Sequence, residues 1–482
     1  MKIIITLLLL VHLTAAGQAV YQAHDVEKVA EPASGVPYLN QFISANLQIP
    51  FKSSIKGLNG RVYLKGIVET DGSMTNIEVV RGIDTLCNRE AVRVLSLYRA
   101  WKPATLKGEK VRQYVSFPIT FKAAARTSYD STQAAMVDYF DNKYRVTTDL
   151  KNAEYRVTQP VDDNGYIRHH VVYDQSRGGK WKQVGIAAFK NLDIWQRLDY
   201  PDAPADSVKA YQISARDMNM ASHTSEYVFQ TDGKLLSYTE YGLLTKATLQ
   251  KSYDLRGMLR TLRIFSDSVT SEINWYDTGQ IATATETTVP KPPQVEQRIY
   301  INAWNRAGEQ VVKDGDGYWR SAERNYDGKW LFEEGRVISG AKNGKWIGKL
   351  ADSTLHYEEQ YELGVLDKGI AYHQEEKVEY EQAKINPMFK GGMTEFYKFL
   401  GTNIRFPIEA ARRGVTGRVK LSFVVREDGS LSNYKIENRL GFGLEEEAIR
   451  VVKKMDGMWE PGVLRGKKVN VKYYVPINFQ LE

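Results

Sequence analysis

A single cysteine in 482 residues rules out an internal disulfide, so packing and backbone hydrogen bonding must hold the chain together. Histidine is also scarce: positions 12, 24, 223, 356 and 373 show no metal-ligand spacing. His169 and His170 are adjacent; read as strand residues, they point to opposite faces and cannot share one metal. Phosphate loops, nucleophile elbows and zinc signatures are missing. Asp314-Gly315-Asp316-Gly317 begins like a calcium loop but lacks the spaced oxygen ligands and the closing glutamate. The carboxylate pairs Asp162-Asp163 and Glu333-Glu334 read as solvated turns. An enzyme is not expected, and neither is a cofactor or a metal. The net charge of +7 is modest for this length and comes without a clustered basic tract, which argues against nucleic acid as a partner.

What the chain does have is one pattern written twice. At an offset of 357, Gly60-Arg61-Val62 recurs as Gly417-Arg418-Val419, Asp71-Gly72-Ser73 as Asp428-Gly429-Ser430, and Glu90-Ala91 with Arg93-Val94 as Glu447-Ala448 with Arg450-Val451. One inserted residue then moves the offset to 358: Trp101 and Pro103 match Trp459 and Pro461, and Pro118-Ile119 with Phe121 matches Pro476-Ile477 with Phe479. Upstream, Asn46 and Pro50 match Asn403 and Pro407.

Each copy reads as strand, strand, helix, strand. Val419, Leu421, Phe423 and Val425 alternate with polar positions, the signature of a strand with one buried face. Asp428-Gly429 closes a hairpin. Leu444, Ala448, Val451 and Met455 form a helical stripe, with Glu445, Glu446 and Glu447 at the positive end of the helix dipole. Val469, Val471, Tyr473, Val475, Ile477 and Phe479 then share one face of a last strand. A three-stranded antiparallel sheet carrying its helix on the apolar face satisfies this pattern. The first copy places Cys87, Ala91, Val94 and Tyr98 on the corresponding stripe. Pro118 and Pro476 put both last strands at sheet edges, because proline cannot donate to a ladder. Two readings of those prolines stand side by side: they blunt the edge against aggregation, or they protect one end of an edge that accepts a peptide along Lys468 to Val475.

The run from Asn403 through Phe406-Pro407, Ala410-Ala411-Arg412-Arg413 and Gly417-Arg418-Val419, followed by Asp428-Gly429 and Trp459-Glu460-Pro461-Gly462, closely resembles the C-terminal domain of TonB, the energy transducer of Gram-negative bacteria. The first copy resembles it less closely, since Phe51 to Asn59 lacks the Ala-Ala-Arg-Arg helix. The resemblance implies a module whose last strand accepts a short peptide of an outer-membrane receptor, or of another envelope protein, as an added strand. On that basis the edge at Lys468, Val469, Asn470, Val471, Lys472, Tyr473, Tyr474 and Val475 is the expected peptide site. The membrane helix and long proline-rich spacer that a force transducer requires are not recognised in this sequence.

Residues 1–19 read as a secretory leader: Lys2, an apolar stretch from Ile3 to Val11, then small residues with cleavage expected near Gly17 or Ala19. The stretch is short of the roughly 20 residues that span a bilayer, so an exported, periplasmic protein without a stable anchor is expected. Residues 31–124 and 386–482 are the expected TonB-like domains, and 125–385 a β-rich region between them. There, Phe229, Tyr253, Trp275 and Trp304 are each followed four residues later by glycine, at intervals of 24, 22 and 29, which reads as stacked hairpins. Asn343-Gly344-Lys345-Trp346-Ile347-Gly348 and Tyr361-Glu362-Leu363-Gly364-Val365-Leu366-Asp367-Lys368-Gly369 resemble divergent MORN-type repeats. Pro290-Lys291-Pro292-Pro293 reads as a loop, and 139–225 contains strands of unassigned register. The fold class expected is thus α+β, two small domains flanking a mainly β array. The function expected is a non-catalytic adaptor binding extended peptides, in connection with TonB-dependent transport across the envelope. The competing reading is a structural envelope protein whose array binds peptidoglycan or lipid.

Overall fold

The Asp-Gly turns form as the sequence predicts, and each is locked from outside. Gly72 and Gly429 adopt φ of 84° and 82°, and a Cβ on either would run into the backbone carbonyl of Trp101 or Trp459. The serine that follows donates its amide to the aspartate, Ser73 to Asp71 and Ser430 to Asp428, both at 2.9 Å. The computed structural model describes residues 19–122, 128–215, 225–241, 246–289, 296–325, 328–373 and 376–480. The leader through Gln18 and the Pro290–Pro293 break lie outside the described residues. Among the described residues strands hold 53% and helices 14%, a mixed fold in which strands dominate.

In the first module, helices α1 (Val36–Asn46) and α2 (Phe51–Ile55) precede the strands Asn59–Val68 and Met74–Arg81, helix α3 (Thr85–Leu97) and the final strand Glu109–Lys122. Asp84 caps α3 by accepting from the Cys87 amide at 2.6 Å. The presence of α2 corrects the expectation that Phe51 to Asn59 forms no helix. Ser53, inside α2, donates to Asp84 at 2.7 Å, and this tertiary tie holds a turn whose residues have little intrinsic preference for helix.

Helices α4 (Gly392–Asn403), α5 (Ile408–Arg412) and α6 (Leu444–Lys453) repeat the plan in the second module, with strands Gly417–Val425, Leu431–Ile436 and Val471–Phe479. The repeated polar residues have the same task in both copies. Glu90 is held by Arg93 and accepts the Gln48 amide at 2.6 Å; Glu447 is held by Arg450 and accepts the Arg405 amide at 2.6 Å. The same arginines donate to the Asn46 and Asn403 carbonyls at 2.8 and 2.7 Å. Each Glu-Arg pair therefore clasps the chain that leaves α1 or α4. The expected helical stripes are both fully packed: Leu444, Ala448, Val451 and Met455 are at 0% exposure, and Cys87, Ala91, Val94 and Tyr98 at 2% or less.

Between the modules, among the described residues, five strands from Tyr129–Asp130 to Lys180–Ala187 form one sheet, and sixteen from Lys190–Arg197 to Glu376–Tyr380 form a second. In the second sheet every strand pairs with its sequence neighbours in an antiparallel meander. The four aromatic-glycine motifs have a common geometry. Gly233, Gly257, Gly279 and Gly308 all have φ between 82° and 86° and close turns, while Phe229, Tyr253, Trp275 and Trp304 are buried at a register shift of the ladder. Further along, glycine on one strand makes room for an aromatic directly opposite: Gly335 for Trp346, Gly348 for Tyr357 and Gly369 for Tyr380. Glu333 overturns the solvated-turn reading: it is buried within the strand Trp330–Ile338, paired with Lys342 at 2.9 Å and accepting from the Tyr357 hydroxyl at 2.7 Å. Asp162 and Asp163 do sit at a turn, with Asp163 exposed and paired to Lys52. His169 and His170 lie outside any strand, and His170 Nδ1 accepts the Phe189 amide at 3.0 Å.

One core runs continuously from the first module into the array. Leu39, Phe42, Cys87, Val94 and Tyr98 pack with Tyr253, Met258, Leu259, Trp275, Ile281 and Trp304. Asn46 seals this contact: its amide nitrogen donates to the Phe42 carbonyl and its Oδ1 accepts the Leu259 amide at 2.7 Å. Among the described residues no helix is long and apolar enough to cross a membrane.

Cys87 gives a direct check of this packing. Its side chain is 1% exposed, and burial pushes the thiol up to about 11. Thiolate is therefore scarce at neutral pH and shielded as well. A maleimide added without denaturant is expected to label the folded chain only on the timescale of unfolding; labelling within seconds would place the α3 stripe on the wrong face.

Candidate functional site

The second module's sheet has the order Leu431–Ile436, Gly417–Val425, Val471–Phe479, so among the described residues its final strand is hydrogen-bonded to another strand on one side only. Pairing runs from Gly417↔Phe479 to Val425↔Val471. Val475, Ile477 and Phe479 point into the core, while Lys472, Tyr474 and Asn478 are exposed, Tyr474 at 62%. The expected site run is divided. Lys468 and Val469 belong to a small hairpin, pairing with Val463 and Gly462, and Asn470 lies between strands with its side chain accepting the Glu427 amide at 3.2 Å. Val471, Lys472, Tyr473, Tyr474 and Val475 remain as open edge.

Around that edge the chemistry is mixed. Tyr473 is half-buried against Trp459, with ring centroids 4.9 Å apart, and burial pushes its hydroxyl up. Its neighbours from α4 are Met393, 3.9 Å from the hydroxyl, and Tyr397, which is 57% exposed. These two helix residues were not anticipated; the apolar spacing Met393, Phe396, Tyr397, Leu400 is their trace in the sequence. On the opposite face Lys472 reaches Glu437 at 3.5 Å and lies over the Tyr474 ring. The Tyr474 hydroxyl holds the Lys472 ammonium above its ordinary value. An apolar, aromatic shelf thus lies on the helix side of the edge, and a lysine with a tyrosine on the other.

The first module differs at the equivalent place. Its final strand is flanked at Arg112 and Gln113 by a parallel strand, Val20–Tyr21, so the expectation of a free edge fails there. Pro118 still lies beyond the flanked part, opposite Tyr63.

A second candidate lies in the array. A cavity of about 970 Å³ is lined by Arg260, Arg298, Arg324, Glu323, Glu333 and Trp319 among others. Its charges answer one another: Arg260 binds Asp202, Arg298 reaches Glu272 and Glu323, and Arg324 reaches Asp199 and Asp206. Burial, followed by the charge of Glu333, pushes the Glu323 carboxyl up. These groups neutralise each other rather than converge on an empty point. Asp314 sits at a turn, and Asp316 opens the strand Asp316–Arg324 and accepts the Ser339 amide. Among the described residues no three His, Cys, Asp or Glu side chains gather as a metal site.

Residues 46–123 and 402–481 match the family described as Gram-negative bacterial TonB protein C-terminal. The two end modules are TonB-like domains. No curated protein matches the chain. The TonB C-terminal family is non-catalytic and belongs to the Gram-negative envelope, where its domains bind other envelope proteins.

Proposed function

We propose that the protein is a periplasmic adaptor whose second TonB-like module captures an extended segment of an envelope protein, such as an outer-membrane receptor, by adding it as a strand along Val471 to Val475. The observation that carries this reading is the one-sided hydrogen bonding of the Val471–Phe479 strand, within the residues that match the TonB C-terminal family. An unpaired edge offers main-chain donors and acceptors in a row, and a peptide satisfies them with few demands on its side chains. The shelf of Met393, Tyr397 and Tyr473 favours an apolar residue on one face of the added strand, and exposed Lys472 an acidic one on the other. The array then serves as the body that carries the modules. The alternative, an array that itself binds peptidoglycan or lipid, is weakened by the internal pairing of the cavity charges.

Main-chain bonds contribute about 1 kcal/mol each, so a peptide of roughly five to seven residues should bind at about micromolar Kd or more weakly. Receptor-derived peptides N-methylated at alternate residues provide the test. Methylation of the amides facing the edge is expected to abolish binding, while methylation in the other register leaves it intact. Binding indifferent to methylation in both registers would eliminate strand addition.

A further inference from the structure

The two modules treat the same piece of chain in opposite ways. In the first, the Val20–Tyr21 strand lies parallel to the final strand, Val20 opposite Arg112 and Tyr21 opposite Gln113. The chain then turns through Ala23–Asp25, bridges Lys28 to Thr105, and pairs Glu31–Pro32 with Trp101–Lys102. In the second, the later contacts recur: Ile385 pairs with Val463, and Met388–Phe389 with Trp459–Glu460. At the repeat offset, Val20 and Tyr21 correspond to Lys377 and Val378. Those residues belong to Glu376–Tyr380, the last strand of the array, paired with Val365–His373. The segment that flanks the first edge is therefore spent elsewhere in the second copy.

A residue difference accompanies the switch. Gln113 is 3% exposed, and its Oε1 accepts the Ala30 amide at 2.6 Å, tying the returning N-terminal segment to the final strand. Its counterpart in the second module is Val471, which has no acceptor to offer. Arg112 beside it is fixed by a two-pronged pair to Glu69 at 2.7 and 2.9 Å, whereas the counterparts, Asn470 and Arg426, are of a kind that cannot make this pair.

We infer that the start of the first module's final strand, at Arg112 and Gln113, is itself a strand-accepting surface, occupied in cis by Val20–Tyr21. The partner this surface fits is an extended strand running parallel to Glu109–Lys122, and its own Val20–Tyr21 is the resident example. This deepens the strand-addition reading of the second module, and it stands on a different strand of the molecule.

The test compares a chain starting at Ala19 with one starting at Ala23, probed by the acetylated peptide Gln18-Ala19-Val20-Tyr21-Gln22-Ala23. Hydrogen exchange of the amides at 111–114 is expected to quicken about tenfold or more in the shorter chain, and the peptide to restore the protection there. In the longer chain the same peptide should leave these amides unchanged. Equal exchange in both chains, or a peptide that restores nothing, overturns the inference. Should the shorter chain fail to fold by circular dichroism, Gln113→Val in the longer chain takes its place, with faster exchange at 111–114 as the expected result and unchanged exchange as the overturning one. Exchange at 471–475 with the receptor peptide, read in the same samples, separates the two claims. Absence of added protection there sinks the second-module proposal and leaves this one untouched; failure at 111–114 does the reverse.

Discussion

Arg465→Ala is expected to destabilise the junction between the array and the second module by about 3–5 kcal/mol, the cost of leaving one partner of a buried ion pair alone. Arg465 stands at the tip of the Gly462–Leu464 and Lys467–Val469 hairpin and enters the array. Its Nε donates to Glu359 at 2.9 Å, and its guanidinium lies 3.7 Å from the centroid of the Tyr357 ring. The Glu359 side chain is fully buried and also accepts from the Tyr361 and Tyr380 hydroxyls, both at 2.8 Å. Without the arginine, the carboxylate keeps two hydroxyl donors but, among the described residues, no ion-pair partner. Pairing Arg465→Ala with Glu359→Gln should recover a large part of the loss, because the stranded charge is then gone. The measurement is chemical denaturation of the full chain, followed by hydrogen exchange at 357–380 and 462–469. A single mutant within about 0.5 kcal/mol of the parent would mean that the hairpin tip does not hold the junction.

Phe42→Ala should cost a similar amount, about 3–5 kcal/mol for a fully buried aromatic, and the loss should spread across two parts of the chain at once. Phe42 lies 5.3 Å from the Tyr98 ring, and its ring packs over Gly279, where no Cβ has room. Beside it the Tyr38 ring meets Trp304 at 4.8 Å. Exchange protection is therefore expected to fall together in 85–97 and in the strands between Tyr253 and Ile281. Loosening confined to the first module would show that the two cores are energetically separate despite their contact. The same contact means that an isolated array would expose Tyr253, Met258, Leu259, Trp275, Ile281 and Trp304, a poor starting point for binding experiments.

Much of this was legible in the chain because repetition supplies its own control. Two copies of a hairpin, helix and strand gave the helical stripes, and every stripe position named from the spacing is buried. The aromatic-glycine spacing likewise located turns, since only glycine takes the left-handed conformation there without strain. Other features depended on contacts distant in sequence. Nothing local distinguishes Glu333 from a surface glutamate; its burial follows from Lys342 and Tyr357 arriving on neighbouring strands. The α2 helix depends on Ser53 meeting Asp84, which no window of residues around 51–59 contains. The break at Asn470 arises because the hairpin pairs Lys468 and Val469 away from the long sheet. Proline gave the edge of the second module, but it could not reveal that Val20–Tyr21 would lie along the first.

The sixteen-strand meander has a consequence for the order in which the protein assembles. Each of its strands needs only the strand just made, so the array can lengthen step by step as chain is supplied, like a row of repeats growing from its last member. The first module cannot finish on such terms. Asn46 must wait for Leu259, 213 residues later, before its side chain finds its partner, and Tyr38 must wait for Trp304. Loop closure over that distance is slow compared with hairpin formation. During synthesis the first module therefore spends its early life with an apolar face uncovered, and the growing array is the element that eventually covers it.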